Sequence, residues 1–177
     1  ELVNYAYLYD IPGVDKEMKF ESMVMKFKNS KKSKDENAFI EALVGVNDQG
    51  TGSSFQCVSL VNGISTYDGG SHEDAFSKVI CDKIVTILSK RQSLKEFKIT
   101  NATVKKYLTI FMKCGISNPR FKGQSKECLI TPKVKDLSDM FNEKFTNASA
   151  KRIVDDLGLM DVIENLFIKK DNNEAKK

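Results

Sequence analysis

The chain has 177 residues, 28 Lys and Arg against 24 Asp and Glu, a formal net charge of +4, four cysteines and one histidine. That length suits a single domain with a real core, and so mild a charge excludes nucleic-acid binding by overall basicity; any such contact must come from local clusters. One His and no Cys-x-x-Cys pair among Cys57, Cys81, Cys114 and Cys128 argue against a zinc site, and the thiols read as reduced residues of a cytosolic or nuclear protein. No signal segment or long apolar run points to secretion or a membrane.

Leu2, Tyr5, Ala6 and Tyr9 fall at helical spacing, and Pro12-Gly13 ends that helix. Met18 to Phe27 alternates as a strand, with Phe20, Ser22 and Val24 on one face and Met23, Met25 and Phe27 on the other. Asn29 to Asn37 is a lysine-rich turn. Phe39 to Val46 forms a second strand, Asn47 to Gly52 a loop and Ser54 to Val61 a third strand, a spacing that predicts a meander of neighbours. At Gly69-Gly70-Ser71 the apolar period changes from two to about 3.6. Ser71 is placed to cap a helix, with Asp74 in the approximate position of a capping-box acid. Phe76, Val79, Ile80, Ile84, Ile87 and Leu88 line one side of it as far as about Lys90, and this face should lie on the sheet. The two glycines read first as permissive turn residues, and His72, on the first turn, as the maker of a local structural hydrogen bond.

Tyr107 to Cys114 alternates again, with Leu108, Ile110, Met112 and Cys114 on one face and Phe111 on the other. It runs into Asn118-Pro-Arg-Phe-Lys-Gly-Gln-Ser-Lys-Glu-Cys-Leu129, a loop punctuated by Pro119 and Gly123 and followed by a short helical stretch over Lys126 to Ile130. After Pro132 two amphipathic helices are expected, one marked by Leu137, Met140, Phe141 and Phe145, the other by Ile153, Leu157, Met160, Ile163 and Phe167. A charged tail, Lys169 to Lys177, frays. There is no internal repeat, Walker loop or nucleophilic triad.

The chemistry concentrates in that loop. Lys126 is a mobile point charge with three donors, and Gln124 adds a neutral amide, a pair suited to a terminal phosphate. Two basic groups also stand out: Lys26, Lys28, Lys31, Lys32 and Lys34, then Lys90, Arg91, Lys95 and Lys98 in the turn after the long helix. Either is a solvated face or a set of phosphate contacts that do not read base sequence.

The segment Asn118 to Leu129 closely resembles the NPxFxxQTKExL loop of type IIA DNA topoisomerases, and Ser59-Leu-Val-Asn-Gly-Ile-Ser-Thr-Tyr-Asp-Gly-Gly-Ser-His72 resembles their SFVNxIxTxxGGTH signature. Leu137 to Phe145, and on to Phe167, is similar to the C-terminal helices of the same domain, the transducer of a eukaryotic-like or T-even phage-like enzyme. This resemblance implies an α+β, ribosomal-protein-like fold: a mixed four-stranded sheet with helices on one face, a left-handed crossover and C-terminal helices. It implies that residues 1–17 end a preceding GHKL ATPase domain, 18–132 form the core, 133–170 the C-terminal helices and 171–177 a tail, so that the chain is a piece of a longer protein.

By the same resemblance, Gln124 and catalytic Lys126 contact the γ-phosphate of ATP held by the upstream domain, where the Mg2+ ligands and general base would also lie. Lys90, Arg91 and Lys95 would face double-stranded DNA, although this turn has fewer lysines than the family's. The parent enzyme would be a homodimer of ATPase regions joined to a DNA-cleavage subunit or domain, nuclear or cytoplasmic, and the isolated chain inactive. None of Tyr5, Tyr7, Tyr9, Tyr67 or Tyr107 sits in an Arg-Tyr pair, so the cleavage tyrosine is expected elsewhere. Two alternatives remain at this point: the matching domain of another GHKL ATPase, of mismatch repair or a chaperone, and a plain nucleic-acid-binding module.

Overall fold

The computed structural model describes residues 2–7, 18–27, 37–47 and 55–174. The helix end at Pro12-Gly13, the lysines at 28–34 and most of the loop after Asn47 lie outside the described residues. The elements run α1 (Leu2–Ala6), β1 (Phe20–Lys26), β2 (Phe39–Val46), β3 (Gln56–Val61), β4 (Ile64–Ser65), α2 (Ser71–Leu88), α3 (Asn101–Lys105) and β5 (Leu108–Gly115). A small hairpin of β6 (Arg120–Phe121) and β7 (Leu129–Thr131) follows, then α4 (Val134–Lys144), α5 (Asn147–Asp155) and α6 (Leu159–Glu174).

The alternation read from the sequence places the faces. Met25 and Phe27 from the first strand, Ile40, Ala42 and Val44 from β2, and Leu108, Ile110, Met112 and Cys114 from β5 turn to one side. There they meet Phe76, Val79, Ile80, Ile84 and Leu88 of α2 and the apolar stripes of α4, α5 and α6. Phe141 joins the layers, edge-on to Phe76 at 5.3 Å and tilted against Phe27 at 6.3 Å. The expected mixed sheet with helices on one face is therefore present, its four main strands extended by the two-residue β4. The short α1 covers the other face, where Ala6 packs with Leu43 and Phe111.

The strand order is β1-β2-β5-β3-β4. This corrects the expected meander, because β5 inserts between β2 and β3 and runs parallel to β3. Leu108 to Met112 is buried on both faces, the signature of a central strand, and the α2–α3 crossover supplies the long connection that parallel pairing requires.

Four more expectations are corrected. Lys126 to Ile130 is not helical; Leu129–Thr131 pairs with β6 as a strand. The single second C-terminal helix is two, because Gly158 takes φ 77° between α5 and α6 and left-handed backbone ends a helix. The capping residue of α2 is Gly70, while Ser71 is the first helical residue and its buried Oγ has no partner among the described residues. The stretch expected as a tail continues α6 to Glu174.

Candidate functional site

The loop from Ile116 to Leu129 is tied to the sheet at both ends. At its start, the Asn62 side chain donates to the Ile116 carbonyl at 2.8 Å and accepts from the Ile116 N–H at 2.9 Å, while the Asn62 N–H donates to Cys114 O at 2.8 Å. Asn62 takes φ 52°, a left-handed setting that asparagine tolerates better than most residues. The end of β3 thus grips the end of β5.

At the loop's exit, the Asp68 N–H donates to Glu127 O and the Leu129 N–H to Gly69 O, each at 3.0 Å. Gly70 pairs with Leu129, and a Cβ at this position would lie 2.4 Å from the Leu129 carbonyl oxygen and 2.5 Å from its nitrogen. With φ 133° and no room for a side chain, only glycine fits. The two sequence motifs therefore meet in space, the first gripping both ends of the second.

Between the anchors the chain turns at Asn118 (φ 51°), Gly123 (φ 71°) and Lys126 (φ 59°). Phe121 packs on the core and Leu129 is buried, so the hairpin is fixed at its base. Gln124, Ser125 and Lys126 project at the tip, all exposed. Among the described residues Lys126 has no ion-pair partner. A left-handed lysine is locally strained, of order 1 kcal/mol or more, and such strain persists where its surroundings over-determine it. The tip presents one free ammonium and one amide to an incoming anion.

Behind the Thr66–Gly70 turn lies a buried polar cluster. His72 is fully buried; its Nε2 lies 2.8 Å from Ser59 Oγ and 3.2 Å from Thr66 Oγ1, and its Nδ1 has no partner among the described residues. Burial lowers its pKa to about 4, so it is neutral at neutral pH. Ser59 also donates to Glu73 at 2.5 Å and contacts Thr66 Oγ1, which donates to Ser59 O at 3.1 Å. Burial raises the Glu73 carboxyl, partly offset by its bonds from Ser59 and Cys57. The expected local structural role of His72 is what the hydrogen bonds show. Ser59, Thr66 and Glu73 were not singled out from the sequence; the available signal was a serine at an inward position of β3, between Cys57 and Val61.

The turn carrying Lys90, Arg91 and Lys95 is not near this tip in the chain's wiring; it joins α2 to α3 and docks on the C-terminal helices. Leu94 is buried, Ser93 bonds Glu164 of α6, and Phe97 stacks on Phe167 with centroids 4.4 Å apart. Arg91 pairs with Asp155 of α5, so its charge is locally matched. Lys90, Lys95 and Lys98 are exposed. Among the described residues no group of three or more His, Cys, Asp or Glu is arranged to hold a metal, and no helix is long and apolar enough to cross a membrane.

Residues 7–177 match the family model described as DNA gyrase B. DNA topoisomerase 2 of Saccharomyces cerevisiae is 44% identical over 85 residues, 47% of this chain and 6% of that protein. The solved ATPase region of Saccharomyces cerevisiae topoisomerase II covers 93% of this chain, with a TM-score of 0.58 and 26% identity, over 35% of that chain. The ATPase and transducer domains of DNA topoisomerase II from Balamuthia mandrillaris share the fold, with a TM-score of 0.59 and 23% identity over 86% of this chain and 33% of that one. The chain thus spans a small part of these relatives. With a match over all but its first six residues, and with the gripping motif and the gripped hairpin both in place, this chain belongs to the DNA gyrase B family.

Proposed function

We propose that this chain is the transducer portion of an ATP-dependent type IIA DNA topoisomerase, coupling nucleotide state in a neighbouring domain to movement of a DNA gate. The observation that carries the reading is the hairpin tip: an exposed Lys126, without an ion-pair partner among the described residues, beside Gln124 on an arm anchored at both ends. Lys126 meets the γ-phosphate as a point charge and Gln124 as a hydrogen-bond donor. Both contacts strengthen as negative charge builds on the transferred phosphoryl group, which is electrostatic stabilisation without proton transfer. Magnesium, its ligands and the general base belong to the upstream domain in this reading.

After hydrolysis and phosphate release the contact is lost. The arm shares backbone bonds with β3, β5 and the start of α2, so sheet and helices turn together when it lets go. The γ-phosphate is then the differential contact that biases two orientations. In a homodimer of such regions, that turn closes and opens a passage for a DNA duplex. Membership of the DNA gyrase B family weighs against a mismatch-repair or chaperone ATPase and against a binding module with no nucleotide role.

Lys126→Ala in the full-length protein tests the reading. ATP turnover should fall by roughly 10²-fold or more, the scale of losing one preorganised transition-state contact, with DNA binding retained. A wild-type turnover rate in that variant would end the proposal.

A further inference from the structure

We infer that His72 is a positioning residue for Lys126, acting through the Thr66–Gly70 turn by way of a hydrogen carried on Nε2. The inference rests on the role proposed above for Lys126.

The proton placement follows from the partners. Each hydroxyl has an acceptor other than the ring: Ser59 Oγ donates to the Glu73 carboxylate, and Thr66 Oγ1 shares its hydrogen between Ser59 O and the Ser59 Oγ that it contacts. Both hydroxyl oxygens then face Nε2 with lone pairs only, at 2.8 and 3.2 Å. A neutral imidazole has one N–H, and only at Nε2 does it serve both hydroxyls. This leaves Nδ1 as the bare lone pair, in agreement with its having no partner.

A continuous path of bonds leads from this N–H to the arm. Thr66 is held by the imidazole and by its own backbone bond to Ser59 O at 3.0 Å; the Thr66 carbonyl accepts from the Gly69 N–H at 2.9 Å. Gly69 O then accepts from Leu129, and Asp68 donates to Glu127, the residue next to Lys126. His72 is fully buried and touches no ligand itself. As plain scaffolding the cluster is expensive, since among the described residues Nδ1 and the neighbouring Ser71 Oγ are both buried without partners, and a buried polar group left unpaired keeps its full desolvation penalty. Local rules are broken in this way mainly where function demands a fixed geometry.

The test uses the full-length protein and four variants: H72Q, H72L, K126A and the double variant H72L/K126A. The glutamine amide offers an N–H at similar reach to Nε2, and leucine offers none. H72L should lower kcat for ATP by roughly 10-fold to 10²-fold, the effect of a misplaced catalytic group, with little change in KM, and H72Q should recover most of it. The double variant should be no slower than K126A, because His72 acts only through the lysine.

Additive losses in the double variant, or equal losses in H72Q and H72L, overturn the inference in favour of a merely structural histidine. Loss in K126A with a wild-type rate in H72L overturns this inference alone, whereas a wild-type rate in K126A removes both readings. Should H72L fail to fold, Thr66→Val breaks the same path at the hydroxyl. It should show the same kcat-selective loss, and a wild-type kcat in that variant overturns the inference.

Discussion

At the scale of single residues, burial moves His72 and Glu73 in opposite directions within one cluster. His72 is held near pKa 4, below its unfolded value of 6.5, by burial. Between those values the unfolded chain takes up a proton that the folded one refuses, so stability falls as pH drops from about 6.5 to about 4 and levels off below. The full gap amounts to about 3 kcal/mol. Glu73 works in the opposite sense: its raised pKa means that acid relieves a buried charge, which offsets part of the loss. Cys57 contributes nothing in this window, since burial and Glu73 push its thiol well up. Urea unfolding across this range should show a shallower fall for H72Q than for the wild type; identical slopes would mean that His72 is accessible to protons in the folded state.

At the scale of elements, the hairpin and the start of α2 behave as one piece because Gly70 lets two backbones touch. Gly70→Ala places a Cβ 2.4 Å from the Leu129 carbonyl oxygen, and backbone, unlike a side-chain tip, has nowhere to go. The variant should lose roughly 2 kcal/mol or more of stability, from the strained φ and the forced separation together, read as a lower denaturation midpoint. An unchanged midpoint would place the hairpin elsewhere. This contact was only half legible beforehand. A glycine pair at a change of period says that a turn needs freedom, but the atom that excludes a side chain belongs to residue 129, far along the chain. For the same reason Lys126 to Ile130 read as helical: its own residues tolerate a helix, and the partners that make it a strand are Arg120 and Phe121 across the turn. Gly158, by contrast, carries its own signal, and the break between α5 and α6 was there to be read.

At the scale of the whole molecule, the α2–α3 turn rests on α5 and α6 through Arg91–Asp155, Ser93–Glu164 and the Phe97–Phe167 stack. Any rotation of the C-terminal helices carries this turn with them, and Arg152 of α5 grips Glu21 of β1 by its Nε at 3.0 Å, linking the same helices to the sheet edge. The proposed DNA-facing role therefore narrows to Lys90 and Lys95, Arg91 being matched by Asp155. Replacing both lysines with alanine in the full-length protein should weaken DNA-stimulated ATP turnover and reduce the salt slope of DNA binding by about one unit per lost contact. A slope equal to that of the wild type would assign the lysines to a solvated face.

The residues themselves carry the two faces of β1, β2 and β5, the apolar stripe of α2 and the Gln124–Lys126 loop, because period and turn chemistry are local properties, whereas the class of fold followed from the resemblance of two motifs to a known family. Tertiary structure alone decided that β5 sits between β2 and β3, that Asn62 and Gly70 hold the two ends of the arm, that Arg91 pairs with Asp155, and that His72 Nε2 meets the Ser59 and Thr66 hydroxyls. Each of these depends on atoms brought together from distant parts of the chain, and a backbone carbonyl or a buried hydroxyl leaves no trace in the spacing of residues that never see it until the chain folds.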